Sequence, residues 1–172
     1  MKTAVRSKFA FTKECWREFR TLALRDDVVC DQHLYTVDPK LTSKIYVAAF
    51  GAMLNSSWVW LMREVHGREA SGQAMSRSEI TVGELKKLPV PDLRNASKKQ
   101  LQDLSDSFSD LLNAENQRDK KGLASSRRKI DSICLNLCGD PCTVKELQQA
   151  VVECVRRRVL ACHQYRVDSV AV

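Results

Sequence analysis

The residue types most open to chemistry are the seven cysteines, Cys15, Cys30, Cys134, Cys138, Cys142, Cys154 and Cys162. Their odd number and wide spacing do not fit a compact secreted scaffold and imply thiols kept reduced in a cytoplasm. Cys134, Cys138 and Cys142, with Cys154, Cys162 or His163 as a fourth ligand, have the composition of a zinc site. Structural zinc pairs, however, sit about two to four residues apart on knuckle turns. Cys134 and Cys138 instead fall one turn apart in an apolar helical pattern, an ordinary place for a small buried side chain. The expectation is free core cysteines, with no metal and no cofactor.

Other catalytic constellations are missing. His33, His66 and His163 lie far apart, with no nucleophile or carboxylate partner nearby. Asp26 and Asp27 lie close to Asp31, but without the spacing of a calcium loop. The chain has no G-x-G-x-x-G, no G-x-x-x-x-G-K-[ST] and no H-E-x-x-H. The sequence therefore predicts a chain that is not an enzyme by itself.

A length of 172 residues implies one domain, or one domain with a helical appendage. The net charge of +7 favours an acidic partner such as nucleic acid or an anionic surface. The basic N-terminal stretch lacks the apolar core and small-residue cleavage site of an export signal, so no export signal is expected from it.

Residues 1–40 are strand-like in places. "TKECWREF" allows a short helix carrying Trp16 and Phe19, and "VVCDQHLYTVDP" suits a strand or hairpin arm ending at Pro39. Thr42 or Ser43 caps an expected helix over 43–66, with Gly67 as its stop. This helix contains the apolar run from Ile45 to Met62, close to the length of a membrane span. Asn55, Ser56 and Ser57 interrupt the run at its centre and no second span follows, so a buried helix is expected and no membrane. Ala48, Ala52, Asn55 and Ser56 form a slim face that admits close approach of another backbone.

The segment 67–80, rich in Gly, Ser and charge, is expected as a loop or ragged hairpin. Thr81 and Glu84 have capping-box spacing for a short helical turn, which Pro89 ends. Ser97 and Gln100 cap a helix with the stripe Leu101, Leu104, Phe108, Leu111 and Leu112. Gly122 is expected to separate it from a helix carrying Leu123, Ile130, Cys134 and Leu137, which stops at Gly139. Thr143 and Glu146 cap a last helix, with Arg156, Arg157 and Arg158 at its far end as complements to the helix dipole. The fold class expected is α+β and mostly helical. A small sheet of two to four strands packs on the long helix, and a C-terminal three-helix part follows, with Pro89 to Asn95 as a hinge.

The order of these features resembles the C-terminal target-recognition (specificity) segment of Taq-type adenine DNA methyltransferases and of fused restriction–modification enzymes. The matching residues are "DQHLYTVDPK" (31–40), "FGAMLNSSWVWLM" (50–62), the loop 67–80, "ELKKLPVPDL" (84–93) and "KIDSICLNLCGD" (129–140). Cys138 stands where that family usually has an aromatic residue. The resemblance implies that residues 1–92 form part of a DNA target-recognition domain and 93–172 a helical region. It also implies that Trp58 and Trp60 pack rather than stack on a base. The chain would grip double-stranded DNA beside a methyltransferase catalytic domain or subunit that flips the target adenine. The family's S-adenosylmethionine site and its Asn/Asp-Pro-Pro-Tyr/Phe motif do not occur in these residues, so methyl transfer is not carried over.

Under that resemblance, Arg68, Gln73, Ser76, Arg77 and Ser78 are the candidate DNA contacts. Arginine and glutamine make paired hydrogen bonds to base edges, and serine bonds bases or phosphates. Lys86 and Lys87 are better suited to phosphate. Lys2, Arg6, Lys8, Lys13, Arg17 and Arg20, opposed by Glu14 and Glu18, would extend that surface. The alternative is a helical protein–protein interaction module with no DNA role. Apolar surface left by absent neighbouring parts favours a partner or a homo-oligomer.

Overall fold

Asn55, Ser56 and Ser57 break the apolar run into two helices. α1 spans Lys44–Leu54 and α2 spans Ser57–His66, with a bend of 51° between them. The expected single helix over 43–66 is corrected accordingly, and the cause is local. Short polar side chains offer the backbone partners that compete with the helical ladder. Asn55 Nδ2 donates to the Gly51 carbonyl at 3.0 Å, and the Ser56 hydroxyl donates to the Met53 carbonyl at 2.7 Å. Ser56 Oγ also accepts the Val59 amide at 3.2 Å, so one hydroxyl closes α1 and caps α2.

The chain is seen here as a computed structural model that describes residues 8–15, 18–24, 33–39, 43–69 and 78–168, with side chains of the last helix described to residue 161. Among these, no single helix is long and apolar enough to cross a membrane; α1 and α2 reach that length only together, across their bend.

The fold is α+β and mostly helical, as expected. Its strands form two small antiparallel sheets rather than one. In the first, β1 (Phe9–Thr12) lies between β3 (Thr21–Ala23) and β4 (Leu34–Val37). In the second, β6 (Ser78–Glu79) lies between β2 (Glu14–Cys15) and β5 (Arg68–Glu69). The short helix expected over "TKECWREF" is not formed by its described residues: Thr12 ends β1, and Glu14 and Cys15 are β2. β4 falls inside the expected strand arm. β1 carries no alternating signal because Phe9, Ala10 and Phe11 are all buried.

The C-terminal half follows its caps. α3 (Val82–Leu85) has the Thr81–Glu84 capping box, and α4 (Lys98–Asn116) has the Ser97–Gln100 box. α5 spans Lys120–Cys138 and ends at Gly139 in the left-handed conformation, φ 64°. Thr143 and Glu146 exchange the capping hydrogen bonds that start α6, Val144–Asp168.

Gly122 is not the α4–α5 separator. It lies inside α5, and the turn comes earlier, where Arg118 takes φ 56° and Asp119 caps α5 by accepting the Lys121 amide. A Cβ at Gly122 would stand 2.5 Å from Asp119 Oδ2, so the glycine makes room for that cap. α6 also runs past the arginine triplet, which sits mid-helix and not at a C-terminus.

One core joins both halves of the chain. Phe9, Phe11, Met53, Leu93, Leu104, Phe108 and Ile130 belong to a single buried cluster. α1 lies against α4 so closely that a Cβ on Gly51 would meet the Phe108 and Phe9 rings at 2.7 Å. The segment Pro89–Asn95 is pinned as well: Leu93 is buried, and Trp58 Nε1 donates to the Pro89 carbonyl at 3.0 Å.

Candidate nucleic-acid interface

Arg63, in the last turn of α2, holds the second sheet in place. It lies four residues after Val59 and seven after Ser56, on the buried stripe of the helix, and it is 0 % exposed. Its guanidinium donates to the Thr12 carbonyl at 2.5 Å, the Lys13 carbonyl at 2.9 Å and the Ser78 carbonyl at 3.3 Å. It also lies over the rings of Phe11 and Phe19, 5.3 and 5.2 Å from their centroids. Burial lowers its pKa from the ordinary arginine value. One cation thereby fastens α2 to the β1–β2 junction and to β6. Arginine suits this role because its planar fork serves several carbonyls at once and its face packs on aromatics.

α2 leads through Gly67 directly into β5. A Cβ at Gly67 would come within 2.6 Å of Ser78 Oγ and 2.7 Å of the Arg63 carbonyl, so only glycine fits between helix and strand. β5 pairs with β6 in the register Arg68↔Glu79 and Glu69↔Ser78, and β6 pairs with β2 on its other side. Lys13 Nζ and Glu79 Oε1 close the second sheet with an ion pair at 2.9 Å. The Tyr35 hydroxyl donates to the Ile80 carbonyl at 3.1 Å, tying the two sheets together. Segment 67–80 is therefore a hairpin in its described parts, with a fixed stem.

Four of the candidate contacts lie on described residues. Arg68 is on the stem, with its side chain 59 % exposed and its Nε 3.9 Å from Glu84 Oε1. Glu84 is itself fixed by accepting the Thr81 amide at 2.7 Å and hydroxyl at 2.8 Å, and these bonds hold its carboxyl below the usual range. Lys86 and Lys87 follow in the turn after α3 and are exposed. Lys86 and Lys87 thus follow the short helix whose Glu84 lies 3.9 Å from Arg68.

Ser78 does not belong with them. It is 2 % exposed, its hydroxyl faces the Gly67 Cα, and its carbonyl is occupied by Arg63. Its place in the expected contact set is corrected: it holds the stem from inside. Gln73, Ser76 and Arg77 lie outside the described residues.

Of the N-terminal basic group, Lys8 is exposed, while two other described members are held in ion pairs. Lys13 pairs with Glu79, and Arg20 bridges Glu18 and Glu115. Lys2, Arg6 and Arg17 lie outside the described residues. The arginine triplet is likewise engaged. Arg156 and Arg157 pair with Glu153 at 2.9 Å each, and Arg158 turns inward to Glu64 at 2.9 and 3.1 Å, with the two side chains 8 and 2 % exposed.

Behind the stem, α5 supports the joint between α1 and α2. Asp131 is 0 % exposed; its Oδ1 accepts the Ser57 amide at 2.6 Å and its Oδ2 accepts Gln148 Nε2 at 2.9 Å. Burial raises its pKa above the usual carboxylate range, while the hydrogen bonds from Gln148 and Ser57 and the charge of Arg127 act against that rise. One turn on, Cys134 is buried beside Ser56, and burial pushes its thiol up to about 12. Cys15, beneath Arg63, is pushed up to about 11 by the same cause. No metal-holding group of three or more His, Cys, Asp or Glu occurs among the described residues.

Trp58 and Trp60 are both partly buried against the core. Trp58 reaches Pro89, and Trp60 packs on Phe19 with Arg127 over its ring at 5.8 Å.

Sequence reasoning missed Arg63 and Asp131 as determinants. A signal existed for each. Arg63 falls on the buried α2 stripe, and Asp131 sits between Ile130 and Cys134 on the buried α5 stripe. Polar residues at such positions need partners, but the stripe does not say which.

Comparison with family models, curated proteins and solved structures finds no match to this chain.

Proposed function

We propose that the chain is a non-catalytic DNA-binding module, the target-recognition part of an adenine-specific DNA methyltransferase or restriction–modification system. The observation that carries this reading is the hairpin stem. Fastened by Arg63 and fitted around Gly67, it bears Arg68 on its surface, and Lys86 and Lys87 follow the short helix whose Glu84 lies 3.9 Å from Arg68. Residues 70–77, between the stem strands in sequence, include Gln73, Ser76 and Arg77, the residue types that read base edges. Fixed phosphate contacts set register, and base contacts then discriminate. The net charge of +7 supports association with duplex DNA. The methyl-transfer chemistry belongs to a catalytic domain or subunit beside it.

Selection from a random duplex pool tests the reading. Enrichment of one motif, lost in a Gln73→Ala, Arg77→Ala double variant, is the expected result. No retention of duplex at low salt would rule it out.

A second reading, a helical interaction module, is favoured by α6, where Val152 and Leu160 stand 58 and 52 % exposed. Salt separates the two, since an interface of that kind lacks the steep dependence of phosphate binding.

A further inference from the structure

β4 lies at the edge of its sheet, and its outer side opens on a groove. In the β1–β4 ladder Phe9 faces Val37, Phe11 faces Tyr35, and the Lys13 amide donates to the His33 carbonyl at 2.8 Å. Antiparallel ladders alternate hydrogen-bonded and non-hydrogen-bonded pairs. Tyr35 and Val37 therefore turn their backbone groups toward β1, and Leu34 and Thr36 turn theirs outward. No described strand lies on that side of β4.

The groove has a volume of about 620 Å³. One wall is the length of β4, and the other is α3 and the chain after it, with Val82, Leu85, Lys86 and Val90. Phe50 and Met53 of α1 form the floor. Val82 and Val90 remain 46 and 42 % exposed.

We propose that this groove binds an extended segment of a partner polypeptide by adding it as a strand to β4. Leu34 and Thr36 hydrogen-bond its backbone, two alternate apolar side chains sit on the floor, and an acidic side chain meets Lys86.

Three features select this occupant. Outward amides and carbonyls recurring every second residue are met by an extended backbone, whereas a helix uses its own groups internally. The wall opposite β4 is α3 and the chain after it, with no described strand there, so the added strand has β4 as its one pairing edge. Residues of the added strand opposite Tyr35 and Val37 share their face. That face is the one on which Phe9 and Phe11 are buried, so it requires apolar side chains. Strand addition of this kind takes affinity from the main chain and specificity from alternate side-chain pockets. Of the described residues proposed for DNA, the groove includes Lys86 alone.

The test pans a random decapeptide phage library against the full chain. The strongest binder is then synthesised with and without N-methylation of its backbone amides. Expected are binders with apolar residues at alternate positions and an adjacent Asp or Glu. Their binding should slow hydrogen exchange at the Leu34 and Thr36 amides. N-methylation, which deletes backbone donors, should weaken binding about tenfold. Val82→Asp places a carboxylate on the groove wall, at a helix first turn that tolerates it, and should also abolish binding. The proposal is overturned by a library that yields no binder, by an N-methylated peptide that binds equally, or by binders that leave Leu34 and Thr36 exchange unchanged. Protection of those amides that rises with protein concentration alone would also overturn it and assign the groove to a second copy.

Discussion

Asp131 on α5 accepts the Ser57 amide at 2.6 Å, across 74 residues of sequence. This carboxylate therefore caps the first turn of α2 from another element, while Ser56 caps it locally. Without both acceptors the bend at Asn55–Ser57 would leave buried amides unmet.

Asp131→Ala should destabilise the fold by about 1–3 kcal/mol, the cost of a buried donor left without an acceptor. Asp131→Asn keeps one acceptor oxygen for Ser57 and should lose less. Urea midpoints for the variants and the parent chain measure both.

The same residue sets a pH dependence with a definite sign. Burial raises the folded-state pKa of Asp131 above the ordinary aspartate value of 3.8. The folded chain then binds a proton more readily than the unfolded chain, so this group's contribution falls as pH rises above about 4. The deficit of Asp131→Asn relative to the parent should shrink as pH rises above about 4. A deficit that grows over that range would mean a carboxylate stabilised by its partners beyond the effect of burial.

Arg63 should be the most sensitive charged residue. Arg63→Lys keeps the charge but loses the fork that serves Thr12, Lys13 and Ser78, and with it the packing on Phe11 and Phe19. The expected loss is about 3 kcal/mol or more. Amide exchange should rise in β2 and β6 before it rises in α4 and α5. Equal loss of protection in both regions would deny Arg63 its specific hold on the stem.

Thiol reactivity should follow burial. At about pH 8, Cys134 and Cys15 should react last with iodoacetamide in the native chain, because their thiols sit near 12 and 11. Cys142 and Cys154, both partly exposed, should react before them. Mass-resolved labelling distinguishes these sites.

The sequence made the caps and stripes legible. Thr81–Glu84, Ser97–Gln100 and Thr143–Glu146 each start the helix expected of them, because a capping box is a local hydrogen-bond pair needing no tertiary context. Leu104, Phe108 and Leu111 are buried as their spacing requires.

Long-range pairings were less legible. Asn55 binds the Thr21 backbone through both ends of its amide, at 3.0 and 3.2 Å, and that partner lies 34 residues away. The break in the apolar run depends on such partners, so periodicity alone gave one helix. Arg68, Lys86 and Lys87 are exposed, as surface contacts require, while Ser78 was misread as one because its neighbours in sequence are polar and its neighbours in space are Gly67 and Arg63.

Duplex binding across a salt series tests the central claim most directly. Each phosphate contact contributes about −0.9 to the slope of log K against log salt, so Lys86→Ala with Lys87→Ala should make the slope shallower by about 2. Both lysines are exposed, and the double variant should keep the parent's thermal midpoint. A slope unchanged from the parent chain, or no duplex binding by the parent at low salt, would contradict the account.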